Sequence, residues 1–227
     1  MNTTEEHKRE TKTLLSFIEK PVLSWLAKNL PSFFTPDVLT VLGLVGSIIT
    51  GLGYFLTLHS DYYLWLASLG LLINWFGDSL DGTVARFRHI ERPKYGFFID
   101  HTLDSVSMVF IGIGVGLSPY ARFDFILLAL VGYLLMSILV YIKTFVHGIF
   151  KISYFGFGPT EVRIFIIFIN AIVFYFGSGN YQLLGFDVTV IDIAAVFFAG
   201  ILLLFFFASI MIEGKQLKKI DEEKLNY

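Results

Sequence analysis

Phe123-Asp-Phe-Ile-Leu-Leu-Ala-Leu-Val-Gly-Tyr-Leu-Leu-Met-Ser-Ile-Leu-Val-Tyr-Ile-Lys143-Thr-Phe145 carries no charge between Asp124 and Lys143. An uncharged apolar run of this length reaches across the ~30 Å of bilayer hydrocarbon when it is helical. Its apolar residues are continuous rather than alternating, which excludes a barrel strand. Five further segments read the same way. The six expected spans are Pro36 to Thr57, Tyr62 to Ala85, Phe97 to Leu117, Phe123 to Phe145, Thr160 to Phe176 and Val188 to Ile212. The expected fold class is therefore an all-α integral membrane protein.

Composition agrees. Only 16% of the 227 residues are charged, against 55% hydrophobic, and so few charges do not cover a soluble surface. With 25 Phe and 11 Tyr the chain is not a disordered one. A net charge of −2 gives no case for nucleic acid binding. Cysteine is absent, which removes disulfides, thiolate metal sites and Cys nucleophiles. Any metal must be held by oxygen or His. The polar start, Met1 to Lys12, does not read as a cleaved signal peptide.

Six spans place both termini on one side. They also gather every Lys and Arg except Arg122 on that side, which the positive-inside rule makes cytosolic. Before the first span, Leu14, Leu15, Phe17, Ile18, Val22, Leu23, Trp25 and Leu26 recur at helical spacing. This predicts an amphipathic helix lying in the cytosolic interface. The alternative is a cytosolic helix packed on the bundle. The expected organisation is one membrane domain: a cytosolic and interfacial helix over 1–35, a six-helix bundle over 36–212 and a cytosolic tail over 213–227. Gly112, Gly114 and Gly116 make a small-residue face suited to close helix approach, within the bundle or between protomers.

The few acids are concentrated. Asp78 and Asp81 stand at i and i+3, and Asp100 and Asp104 at i and i+4, so each pair shares a helical face. A short link makes the two helices antiparallel neighbours. Two carboxylates ~5 Å apart repel by roughly 3 kcal/mol at an effective dielectric of 20. These helices carry no matching set of Lys or Arg, Arg86 being the one nearby candidate. Hard divalent cations suit such an oxygen set, and two ions sharing four carboxylates leave positions for phosphate oxygens. Intramembrane acids also mark ion routes, so a divalent-cation transporter is the competing reading. A catalytically silent scaffold is a third.

The residues Asp78, Asp81, Gly82, Ala85, Arg86, Gly96, Asp100 and Asp104 form D-x2-D-G-x2-A-R, a spacer, then G-x3-D-x3-D. This pattern resembles the signature of the CDP-alcohol phosphotransferases. The spacer between Arg86 and Gly96 is one residue longer than is usual in the family. Thr35-Pro36-Asp37-Val38-Leu39-Thr40 is also similar to the family, which commonly has Asn where Asp37 stands. The resemblance implies an enzyme of the EC 2.7.8 type in phospholipid biosynthesis. Such an enzyme moves a phosphoalcohol unit from a CDP-linked donor to an acceptor hydroxyl and releases CMP. It implies two Mg²⁺ or Mn²⁺ ions on Asp78, Asp81, Asp100 and Asp104. It implies a nucleotide site at Gly82, Ala85, Arg86 and Asp37, an active site on the cytosolic side, and a homodimer. Asp104 or His101 would be the general base.

Asp100-His101-x-x-Asp104-Ser105 is similar to the D-H-x-x-D-S variant of choline and ethanolamine phosphotransferases, in which CDP-choline or CDP-ethanolamine donates to diacylglycerol. The other branch of the family uses CDP-diacylglycerol as donor and glycerol phosphate, inositol phosphate or serine as acceptor. Lys143, His147, Lys151 and Arg163 are candidates for an anion pocket that would hold a phosphorylated acceptor. Glu161 is a candidate partner for a choline or ethanolamine ammonium.

Overall fold

The computed structural model describes residues 15–147, 159–183 and 185–225. Seven helices follow in order: α1 Ser16–Asn29, α2 Pro36–Leu56, α3 Tyr63–Phe87, α4 Pro93–Gly116, α5 Phe123–His147, α6 Pro159–Phe176 and α7 Val190–Leu225. Among the described residues, five helices are long and apolar enough to cross a membrane, namely α2, α4, α5, α6 and α7. The expected second span does form α3, over 25 residues, but it is not among these five. Asn74, Asp78, Asp81 and Arg86 lower its apolar content, and two of these, Asp78 and Asp81, are themselves the acids of this helix.

Between α6 and α7, β1, Tyr181–Leu183, pairs antiparallel with β2, Phe186–Val188, outside the apolar runs that were expected to be helical. Gly185 in the tight turn has φ +84°, a backbone conformation glycine adopts without a Cβ penalty. Three-residue strands are too short for alternation to announce them. The last helix, α7, is the longest of those described. It runs 36 residues, roughly 54 Å at 1.5 Å per residue, and continues through the charged stretch after Glu213.

Glycine sets how the helices pack. α2 lies against α3 and α4 along seams where backbone meets backbone. A Cβ on Gly46 would come 2.3 Å from the Asn74 nitrogen, and one on Gly77 would come 2.3 Å from the Gly43 nitrogen. On the other side of α2, a Cβ on Gly114 would meet Gly51 at 2.4 Å. No side chain larger than hydrogen fits at these crossings. Gly112 and Gly116 face Leu130 and Phe123 instead, so these three glycines of α4 pack against residues of the same chain. α5 packs on α4 and α7, and Lys143 Nζ pairs with Glu213 at 2.6 Å across the α5–α7 contact.

α1 packs on α3. Leu23 and Ala27 are buried in a cluster with Leu39, Leu80 and Val84, while Phe17 and Trp25 face outward. Glu19 fastens this contact. Its Oε1 accepts from Thr160 Oγ1 at 2.6 Å, from Trp75 Nε1 at 3.0 Å and from Ser79 Oγ at 3.4 Å. Arg88, just past α3, donates to the carbonyls of Leu30, Pro31, Ser32 and Phe34 and so holds the α1–α2 link. Hydrogen bonds to a charged group contribute about 1.5–3 kcal/mol each. Glu19→Ala is therefore expected to speed amide hydrogen exchange in α1 at least about tenfold. Unchanged exchange would show that α1 is held by its apolar face alone.

At the end of the bundle away from Asp78 and Asp81, three loops are knotted. Tyr120 Oη donates to Asp61 Oδ1 at 2.6 Å, and Thr189 Oγ1 donates to the Tyr120 carbonyl at 2.6 Å. Buried Asp192 accepts from the backbone nitrogens of Arg122 and Thr189. Burial and the Asp61 carboxylate push the Tyr120 phenol above its ordinary range, so it stays a proton donor there.

Candidate metal centre

The expected direct pairing of α3 with α4 is replaced by a shared partner: α2 packs on both and so brings Asp78 on α3 to Asp100 and Asp104 on α4. Carboxylate oxygens of Asp78, Asp100 and Asp104 lie within 4.8 Å of one another. At that distance each pair of charges repels by about 3 kcal/mol at an effective dielectric of 20. Asp81 stands beside this group rather than in it. Its Oδ2 accepts from Thr40 Oγ1 at 2.7 Å, and its Oδ1 accepts from the Gly82 nitrogen. Three oxygen ligands at this spacing, without sulfur, fit a hard divalent ion. Asp78, Asp100 and Asp104 thus form a group that can hold a metal ion.

The space between the helices at this group is about 10 Å³, lined by Thr40, Asn74, Asp78, Asp100, Asp104 and Ser107 among others. It is on the scale of one small occupant and far below a nucleotide. A second cavity of about 290 Å³ lies between α1 and α3, lined by Ser24, Ala27, Thr83, Arg86 and Phe87.

His101 is set beside the acids. Its Nδ1 is 3.8 Å from Asp104 Oδ2 and 3.9 Å from Asp100 Oδ2. The ring stacks on Tyr141 at 5.3 Å and meets the edge of Phe97 at 4.4 Å. Tyr141 Oη reaches the His101 carbonyl at 3.5 Å.

The expected nucleotide residues are partly dispersed. Gly82 and Arg86 are neighbours on α3, and a Cβ on Gly82 would stand 3.2 Å from Arg86 Nη1. Arg86 Nη2 donates to Thr83 Oγ1 at 3.3 Å. Ala85 lies one residue before Arg86 on α3, and Gly96 has open space where its Cβ would be. Asp37, at the start of α2, pairs with Arg92 just before α4, both half exposed.

The expected anion pocket is not assembled from the side chains described. Lys143 is paired with Glu213, and Arg163 Nη2 donates to Asp78 Oδ2 at 2.6 Å. Lys151 lies outside the described residues, as does the side chain of His147. Glu161 is buried, and its Oε1 accepts from the Leu15 nitrogen at 2.8 Å, at the entry to α1.

Asn74 was missed from the sequence. Its Nδ2 donates to the Gly43 carbonyl at 2.9 Å, and its Oδ1 accepts from Arg163 Nε at 2.8 Å. A signal existed: Asn74 stands four residues before Asp78, on the same face of an otherwise apolar run.

The family model for CDP-alcohol phosphatidyltransferase matches residues 33–207. Cholinephosphotransferase 1 of Danio rerio is 30% identical over 171 residues, covering 70% of this chain and 43% of that protein. Cholinephosphotransferase 1 of Bos taurus is 27% identical over 176 residues, covering 73% and 43%. Archaetidylinositol phosphate synthase of Pyrococcus horikoshii is 33% identical over 119 residues, covering 52% and 60%. The chain thus spans less than half the length of these two cholinephosphotransferases.

Proposed function

Because the chain belongs to the CDP-alcohol phosphatidyltransferase family, we propose that it transfers a phosphoalcohol unit from a CDP-linked donor to an acceptor hydroxyl in phospholipid synthesis. The observation that carries this reading is the convergence of Asp78, Asp100 and Asp104 from α3 and α4. In the proposed reaction the acceptor oxygen forms a bond to the phosphorus bearing the alcohol. The bond from that phosphorus to the bridging oxygen breaks, and CMP leaves with that oxygen. Mg²⁺ or Mn²⁺, as two ions, would supply charge neutralisation for the diphosphate and the leaving group. Asp78, Asp100 and Asp104 would hold them, with Asp81 completing the set. Gly82, Ala85, Arg86 and Asp37 would border the nucleotide, and the 290 Å³ cavity beside Arg86 gives it room on that side.

His101 is assigned the hydroxyl proton. Neutral imidazole is a suitable base near neutral pH, whereas a carboxylate committed to a cation is a weak one. His101 sits within 3.8 Å of Asp104, with its ring fixed by Tyr141 and Phe97. His101→Gln is expected to lower kcat on the order of a hundredfold while Mn²⁺ binding persists. A kcat within about threefold of wild type would remove the imidazole from the proton transfer.

The donor is assigned as CDP-choline or CDP-ethanolamine and the acceptor as diacylglycerol-like, supported by the D-H-x-x-D-S residues and the similarity to cholinephosphotransferase 1. The similarity to archaetidylinositol phosphate synthase supports a second reading, with a CDP-linked lipid as donor and a small polar alcohol as acceptor. Mass spectrometry of the lipid made from mixed donors and acceptors separates the two. Isotope from labelled CDP-choline in the lipid supports the first assignment, and product from CDP-diacylglycerol alone supports the second. In the bilayer we assign α3 as the sixth span, α1 to the cytosolic interface, both termini and the site to the cytosol, and a homodimeric assembly.

A further inference from the structure

Arg163 is an unusual residue to find where it lies. It stands in the second turn of α6, and only 6% of its surface is exposed. Two of its nitrogens are fixed, Nη2 on Asp78 and Nε on Asn74. The third, Nη1, is buried with no hydrogen-bond partner. A buried donor without an acceptor carries a standing cost, so hydrogen bonding alone does not account for an arginine here. Charge does. Asp78, Asp81, Asp100 and Asp104 are all within electrostatic reach of one another, and the Arg163 charge acts on Asp104 as well as on Asp78. Other basic groups nearby have partners elsewhere: Arg86 on Thr83, Arg88 on the 30–34 carbonyls, Arg92 on Asp37 and Lys143 on Glu213.

We propose that Arg163 is a built-in stand-in for a cation: it neutralises Asp78 while the centre holds no metal, and its charge lowers the affinity of the centre for a divalent ion. The inference rests on the metal reading of the acidic group given above. Two effects oppose each other. As an orienting partner of a ligand, Arg163 would raise metal affinity, and losing such a partner typically costs about 10–100-fold. As a fixed positive charge paired with one of the candidate ligands, it would lower affinity for a divalent ion by on the order of a thousandfold at an effective dielectric of 20. Charge wins, so removing it tightens metal binding. Removal also leaves the acids unpaired when metal is absent, which destabilises the empty protein.

The test uses the purified full chain in lipid nanodiscs, with Mn²⁺ binding read by electron paramagnetic resonance and thermal melting read in chelator and in Mn²⁺. Arg163→Gln is expected to bind Mn²⁺ at least about tenfold more tightly than wild type. It should melt lower in chelator and gain more from added Mn²⁺. Arg163→Lys, which keeps the charge, is expected to stay within about threefold of wild type. Equal or weaker binding by Arg163→Gln, or an equal tightening in Arg163→Lys, would overturn the proposal. If Arg163→Gln cannot be purified without metal, its yield becomes the readout: rescue by Mn²⁺ supports the proposal, and equal loss with and without Mn²⁺ overturns it. Wild-type protein that binds no Mn²⁺ would remove the metal reading itself, and the inference with it. Wild type that binds, beside an unaltered Arg163→Gln, would remove the inference alone.

Discussion

Asp78→Asn is expected to reduce CMP release by on the order of a thousandfold or more, with folding retained. The amide keeps the shape of the carboxylate but not its charge. One of the three clustered carboxylates is lost, and the buried Arg163 loses its charged partner at 2.6 Å. Disturbing a residue that merely orients a metal ligand costs about 10–100-fold, and losing a ligand costs more. The fold should survive, because the packing of α2 on α3 rests on glycine contacts that the substitution does not touch. Steady-state CMP release and thermal melting, measured together, check this. Asp124→Asn is the control, since Asp124 is exposed and paired with Arg122 at the other end of the bundle. A variant at Asp78 that keeps a tenth of wild-type turnover would take that residue out of the centre.

Gly77→Ala is expected to be among the most destabilising glycine-to-alanine changes at the described positions. The added carbon would stand 2.3 Å from the Gly43 nitrogen and 2.4 Å from the Leu39 carbonyl oxygen, both backbone atoms that no rotamer change can move. α2 and α3 must separate to admit it. Overpacking typically costs about 1–3 kcal/mol, and a backbone-to-backbone clash falls at or above the upper end. Leu39 and Leu80, both fully buried beside this seam, would lose packing as well. Gly200→Ala is the contrast. Its Cβ meets nothing within 4 Å, and replacing a mid-helix glycine by alanine stabilises by roughly 0.5–1 kcal/mol. Melting temperatures of the two variants should move in opposite directions. A Gly77→Ala protein that melts with wild type would show that α2 and α3 do not approach this closely.

The helices were legible because long apolar runs have few alternatives in a chain with so little charge. The expected span from Pro36 to Thr57 became Pro36–Leu56, and that from Thr160 to Phe176 became Pro159–Phe176. The paired aspartates were legible for a similar reason, since i,i+3 and i,i+4 spacing fixes a common face. Partner choice across the bundle was not. Arg163 and Asp78 are 85 residues apart, and Thr160 and Glu19 are 141 apart. No local spacing rule links them. The basic residues Lys143 and Arg163 were read together because the sequence places them on one side. Packing instead turns Lys143 to Glu213 on α7 and Arg163 to Asp78 on α3. The glycines of α4 were legible as a close-packing face, but which helix they meet depends on how the chain folds back.

CMP release by the purified wild-type chain, in nanodiscs with a divalent cation, across CDP-linked donors and lipid or polar-alcohol acceptors, tests whether the acidic group on α3 and α4 serves phosphoryl transfer. The expected result is CMP formed in step with a new phospholipid and only when donor, acceptor and cation are all present. Folded protein that binds the cation yet releases no CMP with any donor and acceptor pair would contradict it.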